Sequence, residues 1–159
     1  MGRTSLKNIK IIASIYKEIH KLPRMPQTKP IVNIVNVVSS ASIDQKMDLV
    51  KIDEKFPETE YNPEQFPGLV FRLTTPKTAT LIFRTGKMVC TGAKSEELSI
   101  TAVNTVVQKL RKAKIKIKKD AIISVQNIVS SISLGGKIHL EKAARTLPRS
   151  MYEPEQFPG

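Results

Sequence analysis

The stretch Tyr61-Asn62-Pro63-Glu64-Gln65-Phe66-Pro67-Gly68 occurs twice. It returns, 91 residues on, as Tyr152-Glu153-Pro154-Glu155-Gln156-Phe157-Pro158-Gly159. At that offset Asn36 falls on Asn127, Val38 on Val129, Ser39-Ser40 on Ser130-Ser131 and Leu49 on Leu140. In all, 17 of the 38 positions from Ile31 to Gly68 are identical without a gap. Such a period far exceeds the roughly 20–50 residues of solenoids and propellers. The chain is therefore built from two large, pseudo-equivalent repeats. The second copy stops at Gly159, where the first continues through further elements, so the second repeat is expected to be incomplete.

Charge narrows the partner. A formal +12 and a sequence pI near 9.9 point to a polyanion, either nucleic acid or an anionic membrane surface. Residues 1–29 hold seven Lys/Arg against Glu18 alone, and so carry half of that excess. One cysteine, Cys90, leaves no intramolecular disulfide or multi-cysteine zinc site, and fits a reducing, intracellular location. His20 and His139 stand in no metal-ligand spacing. No metal or cofactor is expected.

Residues 1–29 read as an extension. Ile9, Ile12, Tyr16 and Ile19 fit one face of a short basic helix over Leu6 to Leu22, similar to a transit or interfacial segment. A flexible tail, or an overlong start with Met25 as the natural one, fits as well. From Ile31 to Val38 the pattern turns to strand, with Ile34, Asn36 and Val38 on one face and Val35 and Val37 on the other. A helix is expected from a Ser42 cap to about Phe56. Three strands follow, Leu69 to Leu73, Thr80 to Phe83 and Met88 to Thr91, as an antiparallel meander. Ser95 caps a long helix, Glu96 to about Lys112, whose buried stripe is read as Leu98, Ala102, Val103, Val106, Val107 and Leu110. Lys114-Ile115-Lys116-Ile117-Lys118 alternates like a strand. The organisation expected is 1–29 extension, 30–120 first repeat, and 121–159 the start of the second.

No catalytic constellation emerges. There is no Gly-rich phosphate loop, no His/Cys cluster and no Ser/His/Asp arrangement, and Glu64 and Glu155 each follow a proline in a turn. An enzyme is not expected. The informative residues share strand faces: Leu81 with Phe83, Val89 with Thr91, and Asn36 with Val38. Two helices can cover only one face of such a sheet. The other is left apolar and open, as a binding surface is.

The repeated Tyr-x-Pro-Glu-Gln-Phe-Pro-Gly, with Leu81-Ile82-Phe83-Arg84-Thr85-Gly86-Lys87-Met88-Val89-Cys90-Thr91-Gly92-Ala93-Lys94-Ser95-Glu96, resembles the TATA-box-binding family. Phe66-Pro67-Gly68-Leu69-Val70 resembles its archaeal branch. The resemblance runs from about Ile31 to Gly159. It implies an α+β saddle, two pseudo-symmetric repeats of curved antiparallel sheet with helices on the convex side. Its concave face would bind and bend the DNA minor groove at promoter elements to nucleate transcription. The resemblance itself, and not the residue pattern, carries the wedge mechanism. Position by position it implies that Phe66 and Phe83 pair at one kink and that Phe157 stands at the other. Asn36 and Asn127 become central hydrogen-bond donors, with Val38, Val129, Leu81, Val89 and Thr91 as an apolar floor. Arg72, Lys87 and Lys94 resemble backbone-contacting positions. Glu153 and Glu155 fall where a B-class initiation factor docks, with RNA polymerase recruited indirectly. The location implied is the nucleoid for an archaeal-type protein, or the nucleus for a eukaryotic one.

Those residue types suit the task. At A·T pairs the minor groove offers only acceptors, which asparagine amides satisfy, whereas G·C adds an amino donor that an apolar floor cannot accept. Rim Lys and Arg neutralise phosphate and make binding salt-dependent. Two other classes compete: a protein-interaction scaffold without DNA binding of its own, and a DNA-processing enzyme on the same fold, which needs a catalytic domain not seen here. With its second repeat cut short, the chain is expected to keep an ordered first lobe beside a protease-sensitive second one. It should then bend DNA weakly or not at all.

Overall fold

A computed structural model describes residues 31–156, so the readings for residues 1–29 and for Phe157 lie outside the described residues. Two compact units appear. The first spans Asn33–Ser131, and the second includes 132–156. The first holds a six-stranded sheet in the order β2-β3-β4-β5-β1-β6. Its strands are β1 (Ile31–Ser42), β2 (Thr59–Glu60), β3 (Gly68–Leu73), β4 (Thr78–Phe83), β5 (Lys87–Ala93) and β6 (Ile122–Ser133). The helices are α1 (Leu49–Asp53), α2 (Glu96–Lys112) and, in the second unit, α3 (Leu140–Thr146). The duplication is visible in these bounds. β1 and β6 are both 12 residues long and start at the paired positions Ile31 and Ile122. The positive φ at Asp44 recurs at Gly135, and the turn bond from Gln65 N–H to the Asn62 carbonyl recurs from Gln156 to Glu153.

Strand alternation sends one set of side chains under the helices. Val37, Ser39 and Ala41 of β1 are buried with Leu69, Phe71 and Leu73 of β3, Ile82 of β4, and Met88 and Cys90 of β5. They meet Ala102, Val103, Val106, Val107 and Leu110 of α2. Each large apolar side chain so buried contributes about 1.5–3 kcal/mol. Helix α2 starts where expected, with Ser95 Oγ accepting the Leu98 N–H at 3.1 Å. At this helix start Glu97 is held below the usual carboxylate range, first by its own backbone N–H and then by the Ser95 hydroxyl. The expected stripe needs one correction: Leu98 is 42% exposed and Ser99 is buried in its stead. At about 100° per residue, Ser99, Ala102, Val103, Val106 and Leu110 make the narrower stripe, and Leu98 falls outside it. Ser99 is satisfied there by Ser39, Oγ to Oγ 2.7 Å.

Two other expectations differ, and one strand is added. The helix read from Ser42 to Phe56 shrinks to Leu49–Asp53, capped by Asp48. Upstream of it the backbone is drawn to the β4–β5 turn, where Ile43 N–H donates to the Gly86 carbonyl and Met47 N–H to that of Arg84. The close approach requires glycine: at Gly86 (φ +82°) a Cβ would stand 2.2 Å from the Gln45 carbonyl oxygen. The two-residue β2, between Pro57 and Pro63, is too short to carry a periodic signal in the sequence. It pairs Thr59 with Phe71 and Glu60 with Val70.

The alternating Lys114–Lys118 is not a strand. Helix α2 ends in a Schellman motif, in which Lys114 N–H reaches the Arg111 carbonyl and Ile115 N–H the Leu110 carbonyl. Lys114 occupies its left-handed position at φ 62°, where a side chain costs roughly 1–2 kcal/mol that glycine avoids. Ile115 and Ile117 then pack on the core.

Candidate nucleic-acid interface

Among the described residues no helix covers the other sheet face. Register builds it in rows. Ser40 of β1 lies opposite Val89 of β5, Val89 opposite Leu81 of β4, and Leu81 opposite Val70 of β3. The next row runs Thr91, Ala79, Arg72. Asn36 and Val38 share this parity on β1, and all of these except the exposed Arg72 are half-buried. The structure thus brings Asn36, Val38, Leu81, Phe83, Val89, Thr91 and Arg72 onto one face. Ser40, Val70 and Ala79 belong to the same rows and are further members of this face, to which period-two parity from Val38, Arg72 and Leu81 points.

A bulge orients Asn36. Val37 pairs with Ala93 but Ser39 with Cys90, so β5 carries one extra residue around Thr91-Gly92. The Gly92 N–H (φ +96°) is turned to the Asn36 side chain, whose Oδ1 accepts it at 2.7 Å. Asn36 Nδ2 lies 3.1 Å from Thr91 Oγ1. With its oxygen engaged, the amide keeps its NH2 as the donor end, and Thr91 takes at most one of the two hydrogens.

At the end of the face Phe66 and Phe83 stand edge to face, centroids 5.9 Å apart and planes at 64°. Gly68, opposite Phe83 in the ladder, makes room for them: a Cβ there would meet Phe66 Cε1 at 2.6 Å and Phe83 Cε1 at 3.0 Å. Cationic groups flank the sheet. Lys87 and Lys94 are exposed at the two ends of β5. Arg72 lies 3.4 Å from Glu60 across the β2–β3 edge, an exposed pair of small energetic weight. On β6, Asn127 and Val129 are exposed, and the neighbouring Gln126 donates to Ser40 Oγ at 2.7 Å. Glu153 and Glu155 are exposed in the second unit, on its copy of the proline turn.

Comparison with known proteins fits this arrangement. The family profile described as "Transcription factor TFIID (or TATA-binding protein, TBP)" matches residues 31–113 and 122–159. The chain belongs to the TATA-binding-protein family. It is 52% identical to a TATA-box-binding protein of Pyrodictium occultum over 133 residues, 84% of this chain and 67% of that one. With its counterpart from Sulfurisphaera tokodaii it shares 46% over 138 residues, 87% and 69% of the two chains. The structure resembles that of Methanococcus jannaschii TBP with a TM-score of 0.72 and 44% identity, covering 80% of this chain and 73% of that one. The α+β fold is that of the TATA-binding-protein family. Membership makes the chain a DNA-binding general transcription factor for TATA promoter elements, not an enzyme.

Proposed function

We propose that the open face of the first unit lies in the minor groove of an A·T-rich promoter element. Asn36 and Asn127 donate to the base acceptors, over a floor of Val38, Leu81, Val89, Thr91 and Val129. Phe66 and Phe83 wedge into the base step at one end, and Phe157 serves the other. Arg72, Lys87 and Lys94 hold phosphates. The observation that carries this reading is the Asn36 amide, turned by the Gly92 N–H so that its NH2 keeps a hydrogen for a ligand beyond the one Thr91 Oγ1 takes. A groove that presents only acceptors selects such a donor, and the exocyclic amine of guanine opposes it.

The test is titration of A·T-rich and G·C-rich duplexes at fixed salt. Asn36→Ala should lose about 1–3 kcal/mol of binding to the A·T element while its weak binding to the G·C duplex stays the same. Unchanged A·T preference would overturn the reading. A chain that binds neither duplex would leave only the scaffold.

The same reading extends to partners and place. Glu153 and Glu155 dock a basic surface of a B-class initiation factor, through which RNA polymerase is recruited, and the complex sits on the nucleoid. In the first copy Asn62 replaces the acid at Glu153, so a basic partner can tell the two turns apart. Glu153→Arg should abolish the ternary complex in a gel shift and leave the DNA complex intact. Equal loss of both complexes would place Glu153 in the fold rather than at the dock.

A further inference from the structure

Strand β6 carries Asn127 and Val129, yet no residue of β6 is fully buried. It lies at the outer edge of the sheet, beside β1. At its start Ile123 packs on the core, with Ala121 just before it, but the rest of the strand makes no such contact among the described residues. Beyond Ile123, its placement depends on its ladder to β1, on the Gln126–Ser40 bond, and on the segment 114–121 that leads into it from α2.

That segment is gripped by one side chain. Gln45 Nε2 donates to the Lys116 carbonyl at 2.7 Å, and Gln45 Oε1 accepts the Lys118 N–H at 3.0 Å. A carbonyl and the N–H two residues on, both bonded to a single amide, make the pattern by which one residue of a parallel ladder binds its neighbour. The Gln45 side chain stands in for a strand opposite Ile117. The alternating segment thus finds a partner for its backbone without entering the sheet. Gln45 is itself fixed, because the flanking Ile43 and Met47 N–H groups bond to the β4–β5 turn and Gly86 packs against its carbonyl. That turn leads directly into Lys87.

We infer that Gln45 is a positioning residue for DNA recognition: its side-chain amide clamps the connection between the repeats, and so sets β6 with Asn127 against β1 with Asn36. The inference rests on the minor-groove reading above. It places the geometric tie between the two half-sites in a loop that faces no DNA in that reading.

The test uses the full chain and two variants, Gln45→Ala and Gln45→Asn, the second keeping the amide one methylene short of both partners. In the free protein, hydrogen exchange should quicken at Lys118 and along β6 in both variants. Exchange at Ile82 and Val103, in the core of the first unit, should stay as in the parent. Preference for the A·T-rich over the G·C-rich duplex should fall about tenfold, as two lost hydrogen bonds allow, with G·C binding unchanged. Unchanged exchange in β6 overturns the clamp, and so does equally faster exchange at Ile82 and Val103, which would make Gln45 a general prop of the fold. Looser β6 with full A·T preference would leave the clamp without a role in recognition. A parent chain that itself lacks A·T preference condemns the minor-groove reading instead, and the exchange data still judge the clamp.

Discussion

Phe71→Ala is expected to cost about 3–5 kcal/mol of folding free energy, the range for truncating a buried phenylalanine. Phe71 is fully buried on β3, its ring 5.1 Å from that of Phe56, with Lys109 Nζ 5.8 Å from its centroid. Lys109 reaches over the ring from α2 to Glu58, and that hydrogen bond holds the Glu58 carboxyl below its ordinary range. Truncation therefore removes apolar contact between sheet and helix and also the floor under an ion pair. Against a total stability of about 5–15 kcal/mol, this is a third or more in most cases. Chemical denaturation would measure it as a lower midpoint with an unchanged slope. A loss under about 1 kcal/mol would mean that the core closes over the gap and that Phe71 is not its centre.

What could be read in the chain, and what could not, follows the range of the interactions. The duplication was legible because identity at fixed spacing needs no knowledge of contacts, and β1 and β6 start at positions paired by it. Helix α2 was legible because its cap, its charges and most of its stripe lie within a few residues of one another. The open face was legible from strand parity together with the count of helices that could cover the sheet. The misreadings share a different cause. Ile43 and Met47 have helical spacing, but their backbone groups are claimed by Arg84 and Gly86, far along the chain. Lys114–Lys118 has strand spacing, but its partner is a glutamine side chain 71 residues away. The bulge that aims Asn36 depends on a register shift between β1 and β5. No local pattern announces any of these, so the faces of single strands could be read while the geometry that joins them could not.

Phe83→Ala should do the reverse of Phe71→Ala, sparing stability and damaging recognition. Phe83 and Phe66 are also an aromatic pair, but they stand on the uncovered face, Phe66 with 38% of its surface exposed. Their mutual contact is worth about 0.5–1.5 kcal/mol beyond the area they cover, so the fold depends on them modestly. In the groove the balance differs. Opening a base step costs a few kcal/mol, which a phenyl ring offsets by stacking where the neighbouring base was. Base–aromatic stacking is worth about 1–3 kcal/mol per base, so losing the Phe83 ring should weaken binding to the A·T element roughly tenfold to a hundredfold. A 2-aminopurine placed at the wedged step would brighten on binding the parent chain and stay dim with the variant. The thermal midpoint should move far less than in Phe71→Ala. If Phe83→Ala still lights the probe and binds as the parent does, the ring pair merely caps the end of the sheet, and the base step is opened by other side chains.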